Sequence, residues 1–445
     1  MSHYKPYPAY RDSGVEWIGR VPKHWARAAI KHILSEPITD GPHETPVFLN
    51  EGVEFLSVDG IQDGELVFEG KRFISYEDHA RFCKKAKPQI NDVLVGKSAS
   101  VGKVARVKTS NDFNVWSPLA ILRSDPTKCN PAYLEFALKA DSAQQQILLA
   151  GNTSTQANIG MDRLASVGIP LPPITEQFQL TKAIEQETTS IDALITKKTR
   201  FIELLKEKRQ ALITHAVTKG LDPSVKMRDS GIDWIGEVPE QWNVVQVRHV
   251  ATLGSGHTPS RSRPDWWEDC YIPWFTLADI WQVRREGRRF VTETEEKVSD
   301  LGIANSSAVV HPAGSVMLSR TASVGFPAIM GCDMATSQDF AVWRCGSRVV
   351  NEYLYLVLLG MKQELSRLMI GSTHKTIYMP DIEAFRMPLP SVEQQKLIIQ
   401  YVGDELQRFD TLVAKTQRSI DLLRERRAAF ITAAVTGQID LRESA

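Results

Sequence analysis

Two stretches of the chain hold side chains suited to binding chemistry. Lys97-Ser98-Ala99-Ser100-Val101-Gly102-Lys103, followed by Arg106, is basic and rich in hydroxyls. Arg320-Thr321-Ala322-Ser323-Val324-Gly325 shares the run Ala-Ser-Val-Gly with it. Downstream of each lies a polar loop, one carrying Asn152, Thr153, Ser154, Gln156 and Asn158, the other Ser372, Thr373, His374 and Lys375. Gln, Asn, Lys, Arg, Ser and Thr are the side chains that hydrogen-bond base edges or hold phosphates. Such loops are often plain turns. These stand out because corresponding loops occupy corresponding places while their chemistry differs. The candidate binding residues are therefore Lys97, Ser98, Ser100, Lys103 and the first loop, with Arg320, Thr321, Ser323 and the second. The second half also carries Arg284-Arg285, Arg288-Arg289 and Trp266, Trp267, Trp274 and Trp281. Such arginines are commonly solvated and such tryptophans commonly core.

No catalytic set is legible. Asn130-Pro131-Ala132-Tyr133 resembles the Asn-Pro-Pro-Tyr turn of adenine methyltransferases. No glycine-rich strand-to-helix loop precedes it, and Asn followed by Pro is also how a helix is capped. Asp265 with Glu295, Glu296 and Lys297 loosely resembles the carboxylates of a nuclease, but the second element reads as a solvated charge run. Gly254-Ser255-Gly256 lacks a phosphate-binding lysine and reads as a turn. The ten histidines have no ligand spacing, and neither a catalytic nor a metal-binding residue is expected. A standalone methyltransferase or nuclease is the alternative reading.

The elements that position these loops come in two copies. RDSGVEWIGRVPKHW (11–25) and RDSGIDWIGEVPEQW (228–242) agree at ten of fifteen positions. RFIELLKEKRQALITHAVTKGLD (200–222) and RSIDLLRERRAAFITAAVTGQID (418–440) agree at thirteen of 23. IPLPP (169–173) matches MPLPS (387–391) in the same order. Between these blocks the copies diverge, with fragments such as GPHETP (41–46) beside GSGHTP (254–259). The frame blocks predict long helices. No Pro or Gly interrupts 174–219, and Ser391 with Gln394 forms a capping-box pattern. A heptad runs through Leu180, Ile184, Ile191, Leu194, Phe201, Leu205 and Leu212. Its counterpart runs through Ile398, Val402, Phe409, Leu412, Ser419, Leu423 and Phe430. Thirteen of these fourteen positions are apolar, which predicts that the two helices pair along a coiled-coil seam. The divergent modules carry short β-branched runs with a helix after each, over 130–150 and 351–370. They read as α/β with more strand than helix. Residues 11–25 are expected beside 430–440, because their twins directly follow the first long helix.

The chain has 445 residues, with 53 basic and 53 acidic side chains, so it has no polybasic tail or acidic domain at whole-chain level. Residues 26–165 carry 16 basic and 17 acidic side chains, and 243–385 carry 14 and 15, so any positive face is local. The five scattered cysteines fit a reducing compartment. Residues 1–14 form no apolar h-region, so no signal peptide is expected, and no run reaches about 18 apolar residues. The expected location is cytoplasmic, with no membrane partner.

In the order of its elements the chain resembles a type I restriction–modification specificity subunit. The resemblance rests on the two RDSG…W segments, on IPLPPITEQ and MPLPSVEQQ opening the long helices, and on LLKEKRQALITHAVTKG and LLRERRAAFITAAVTGQ closing them. It implies an α+β fold in which two α/β target recognition domains are joined by two long antiparallel coiled-coil helices. The implied segments are 1–25, a recognition domain at 26–165, a conserved region at 166–226, the repeated segment 227–242, a recognition domain at 243–385, and 386–445. Each domain would read one half of a bipartite, asymmetric site in double-stranded DNA. The helices would set the spacing and dock two methyltransferase subunits, and restriction/translocase subunits would join for cleavage. This chain would bind no cofactor. S-adenosylmethionine, ATP and Mg would sit on the partners.

Overall fold

The repeat in sequence is a repeat of folded elements. The computed structural model describes residues 4–151, 158–371 and 375–442. The chain forms two compact units, Met1–Thr199 with Gln417–Ala445, and Arg200–Thr416. Each unit takes part of both long helices, Ile174–Lys219 and Val392–Val435. In the first unit the start of one helix pairs with the end of the other. In the second unit the end of the first helix pairs with the start of the second, so the helices are antiparallel.

In the first unit the main sheet contains β1 (Thr39–Asp40), β2 (Val93–Gly96), β3 (Val104–Arg106) and β4 (Leu119–Leu122), in the order β3-β2-β4-β1. All its pairs are antiparallel. In the second unit the sheet contains β5 (Ala251–Ser255), β6 (Phe290–Val291), β7 (Val316–Ser319), β8 (Pro327–Met330) and β9 (Phe340–Cys345), in the order β5-β9-β7-β8-β6. Only the β6–β8 pair is parallel. Strands β2, β7 and β8 are buried throughout, as their continuous apolar runs require. The ladders equate Asp40 with Ser255, since Asp40 pairs with Ala120 and Ser255 with Ala341. Gly41 therefore matches Gly256, which shifts by two residues the match drawn between GPHETP and GSGHTP. A Cβ on either glycine would fall 1.7 Å from Val115 O or 2.0 Å from Thr336 O, so both must be glycine.

The helix predicted over 130–150 is broken. Pro131–Lys139 and Asp141–Ala150 meet at Ala140, whose backbone is extended. The one predicted over 351–370 likewise divides, into Asn351–Gly360 and Lys362–Leu368. Each module is tied to a long helix by one buried glutamine. Gln177 Oε1 accepts from Asn130 N (2.8 Å), and its Nε2 donates to Lys128 O and Pro172 O. Gln395 repeats this with Val350 N, Arg348 O and Pro390 O. Buried amides satisfied in this way fix the approach of two elements.

The two helix starts differ as Pro173 against Ser391 requires. Ser391 and Gln394 form the reciprocal capping box. Pro173 has no N–H for Glu176, the counterpart of Gln394. Glu176 is buried and instead accepts from Tyr7 Oη (2.7 Å) and Trp25 Nε1 (3.1 Å), with His24 Nε2 at 2.8 Å. Segment 11–25 does lie beside 430–440. Tyr10 Oη donates to Gly437 O (2.9 Å), and Gly437 sits against Pro22 and Trp25.

The long helices depart from a strict heptad. Leu180, Ile184, Ile191, Leu205, Ile398, Val402 and Phe430 are buried, and Leu212, Phe409 and Leu423 are half-buried. Leu194, Phe201 and Leu412 lie off the seam and are 47, 44 and 43% exposed. The buried stripe moves one residue on, to Ile202 and Ile213, and to Ile420 in the second helix. A 3.6-residue helix drifts about 20° per heptad against a 3.5 repeat, so a strict count of sevens runs off the stripe. Ion pairs flank it: Arg426–Glu187 (2.6 Å) and Arg427–Asp192 (2.9 Å) in the first unit, and Arg209–Asp410 (2.6 Å) in the second.

Candidate nucleic-acid interface

The Ala-Ser-Val-Gly run closes the same turn in both units. Between β2 and β3, Ser100 N donates to Ser98 O (2.7 Å) across Ala99, whose φ is 63°. Between β7 and β8, Ser323 N donates to Thr321 O (2.6 Å) across Ala322, whose φ is 58°. A bond from residue i to i+2 about a positive φ is a γ-turn, rare and strained outside glycine. Gly102 and Gly325, at φ 89° and 90°, then return the chain to the sheet.

The downstream polar loop ends against this turn in each unit. Ser98 bridges to Asn158, and Ile159 N donates to Lys97 O (2.8 Å). Thr321 bridges to Thr376, Ala322 N donates to Lys375 O (2.9 Å), and Ile377 N donates to Arg320 O (2.9 Å). The structure thus brings together segments that lie more than fifty residues apart in sequence. Asn158 and Lys375 are exposed, and Ser98, Ser100, Thr321 and Ser323 are partly so. Asn152, Thr153, Ser154, Gln156, Ser372, Thr373 and His374 lie outside the described residues.

Two of the cations named from sequence point inward. Lys97 is 12% exposed and stands 3.1 Å from the buried Asp40 Oδ2, while Lys85 Nζ lies 2.6 Å from Oδ1. Burial disfavours the Asp40 carboxylate. The two ammoniums outweigh that and hold its carboxyl below the usual range. Lys103 Nζ donates to Ile61 O (2.9 Å). Both lysines therefore hold the first unit's turn in place instead of projecting from it. Arg320 occupies the place of Lys97, but Ser255 stands where Asp40 would neutralise it. No carboxylate pairs with Arg320 among the described residues.

The enzyme-like fragments are committed elsewhere. Asn130 Oδ1 accepts from Ala132 N and Tyr133 N as a helix cap. The buried Tyr133 hydroxyl lies 2.9 Å from Pro170 O. Asp265 pairs with Arg263, and Glu296 with Arg261. Glu296–Val298 is a strand paired with Ile272–Phe275, not a loose charge run. Its alternation is hidden in the sequence because Glu296 and Lys297 both remain exposed.

Sequence reasoning named fragments of the loops that share the turn's end of each sheet but did not place them there. By register these are Gly41–Glu44 and Trp116–Pro118 in the first unit. In the second they are 256–263, 284–289 and 336–339. Thr258 Oγ1 donates to Gln338 Oε1 there (2.7 Å). The signal available was the paired Gly41 and Gly256. The arrangement is a row of polar loops at one sheet end, suited to hydrogen-bonding an extended ligand.

The chain matches the type I restriction modification DNA specificity domain over residues 48–204 and 239–422. It is 24% identical over 438 residues to the putative type I restriction enzyme MjaX specificity subunit of Methanocaldococcus jannaschii, covering 96% of each chain. It is 23% identical over 176 residues to the type I restriction enzyme EcoBI specificity subunit of Escherichia coli, 39% of this chain and 37% of that one. Two solved structures share its fold. A chain from a type I R-M system, studied for complex assembly and conformational transition, has a TM-score of 0.68 at 16% identity, covering 94% of this chain and 99% of that one. The HsdS subunit from Thermoanaerobacter tengcongensis has a TM-score of 0.50 at 16% identity, covering 94% and 98%. With both repeats matched over most of their length, the chain belongs to the type I restriction modification DNA specificity family.

Proposed function

We propose that each unit reads one half of a bipartite, asymmetric DNA site, and that this chain supplies specificity without catalysis. One observation carries this reading. The same turn-and-loop platform is built twice in one chain, but with different polar residues at its tip. Two unlike readers in one chain suit a site whose halves differ, as two like readers suit a palindrome. Asn130, Asp265 and Glu296 are engaged in a cap and ion pairs, which supports leaving the chemistry to partners. The RDSG…W segments and the ends of the frame helices are the best repeated parts of the chain. Two like surfaces suit two copies of one partner, here methyltransferase subunits carrying S-adenosylmethionine, with ATP- and Mg-dependent restriction/translocase subunits joining for cleavage.

Mapping N6-methyladenine in cells with and without this gene tests the reading. A bipartite motif should vanish with the gene, and a Lys375→Ala chain should relax only one half of it. Removing a hydrogen bond to a base edge weakens discrimination at that one position by ~1–3 kcal/mol. A methylation pattern indifferent to the gene would refute the proposal.

A further inference from the structure

A charge-balanced chain that holds DNA needs a local positive face. We infer that Arg284 and Arg285 form a phosphate anchor in the second unit, one that the first unit lacks. Such an anchor presupposes the DNA-reading function proposed above and adds where the duplex backbone is held.

Placement comes from strand register. Strand β6 runs parallel to β8, with Phe290 opposite Ile329. The residues feeding β6 therefore sit at the same sheet end as the Thr321–Ser323 turn, which feeds β8. The loop is closed and tied down: Arg288 N donates to Gln282 O (3.0 Å), and Ile329 N donates to Arg289 O (2.8 Å).

Its four arginines are not equivalent. Arg288 is paired with Glu286 (2.7 Å) and Arg289 with Glu352 (2.5 Å). Arg284 and Arg285 are exposed and have no carboxylate partner among the described residues. Two uncommitted guanidiniums at the same sheet end as the Thr321–Ser323 turn match the fork geometry of phosphate oxygens.

The first unit lacks this charge at the matching place, where Glu65 is itself paired with Lys108. Its corresponding turn, beside β3, reads Gln62-Asp63-Gly64-Glu65, and the nearby Lys97 and Lys103 are turned inward. At this turn, backbone contact should therefore come from the second unit, while both units read sequence.

The test measures binding of the full chain to a random-sequence duplex pool, and to duplexes enriched from it, across salt concentrations. For R284Q/R285Q the slope of log K against log salt should become shallower by about 2, near 0.9 per phosphate contact. The enriched sequence should not change, and an unchanged melting temperature confirms folding. R344Q serves as a control, because Arg344 is exposed at the opposite end of β9. An unchanged slope in R284Q/R285Q, or an equal loss per arginine in R344Q, overturns the anchor while leaving the reading function standing. A wild-type chain without sequence-selective binding refutes the reading function itself.

Discussion

At the scale of single residues, side chains that look like ligands are often the scaffold of the ligand site. Lys97 has the type and place of a phosphate contact, yet it is held by Asp40, more than fifty residues upstream. The Asp40 carboxyl is held below its usual range, so it stabilises the folded unit most where it is ionised in both states. That stabilisation is full above about pH 3.9 and is lost as the pH falls through the lower folded value. Asp40→Asn should cost about 1–3 kcal/mol at neutral pH by leaving Lys97 unpaired. Thermal unfolding of both proteins should show the gap narrowing below about pH 3.9. A gap constant down to pH 3 would contradict the assignment.

At the scale of elements, the long helices carry one local inconsistency. Gly403 lies exposed inside the second helix at an ordinary helical φ, and a Cβ there would meet nothing within 4 Å. Its counterpart in the first helix is Glu185, which pairs with Arg106 at 3.2 Å, so the position accepts a side chain. Gly403→Ala should stabilise the protein by about 0.5–1 kcal/mol through helix propensity and a less flexible unfolded chain. Urea unfolding should show a higher midpoint at unchanged slope. The Ala99 and Ala322 turns are the opposite case, a strained backbone that both units keep. Strain retained twice at the same turn fits a positional role.

At the scale of the whole molecule, both long helices pass through both units, so helix length is the natural ruler for a bipartite site. Removing one heptad within 176–212 and its counterpart in the second helix shortens each by about 10 Å, the rise of about three base pairs. Under the proposed function, methylome mapping of such a variant should find the two half-sites closer together. An unchanged spacer would refute the ruler. The matched heptads must be removed together, because Leu180 and Ile184 share a core with Phe430 and Ile431 in the first unit, as Ile213 and Val217 do with Ile398 and Val402 in the second.

The sequence alone determined the duplication, the two long helices, the capping box at Ser391 and the family. These rest on local patterns: repeated words, the lack of helix breakers, and short-range hydrogen-bonding chemistry. The pairing of segment 11–25 with the end of the second helix was also legible, because its twin is joined there covalently. Long-range partners were not. Asp40 with Lys97, the spent carboxylate of Glu296, and the breaks at Ala140 and Met361 depend on neighbours distant in sequence. The exposure of Leu194, Phe201 and Leu412 had the same origin, since only packing decides which face a drifting helix buries. Sequence named the kinds of side chain available for recognition. The folded sheet decided which of them are left uncommitted, because a charge buried against its partner has no capacity left for a ligand.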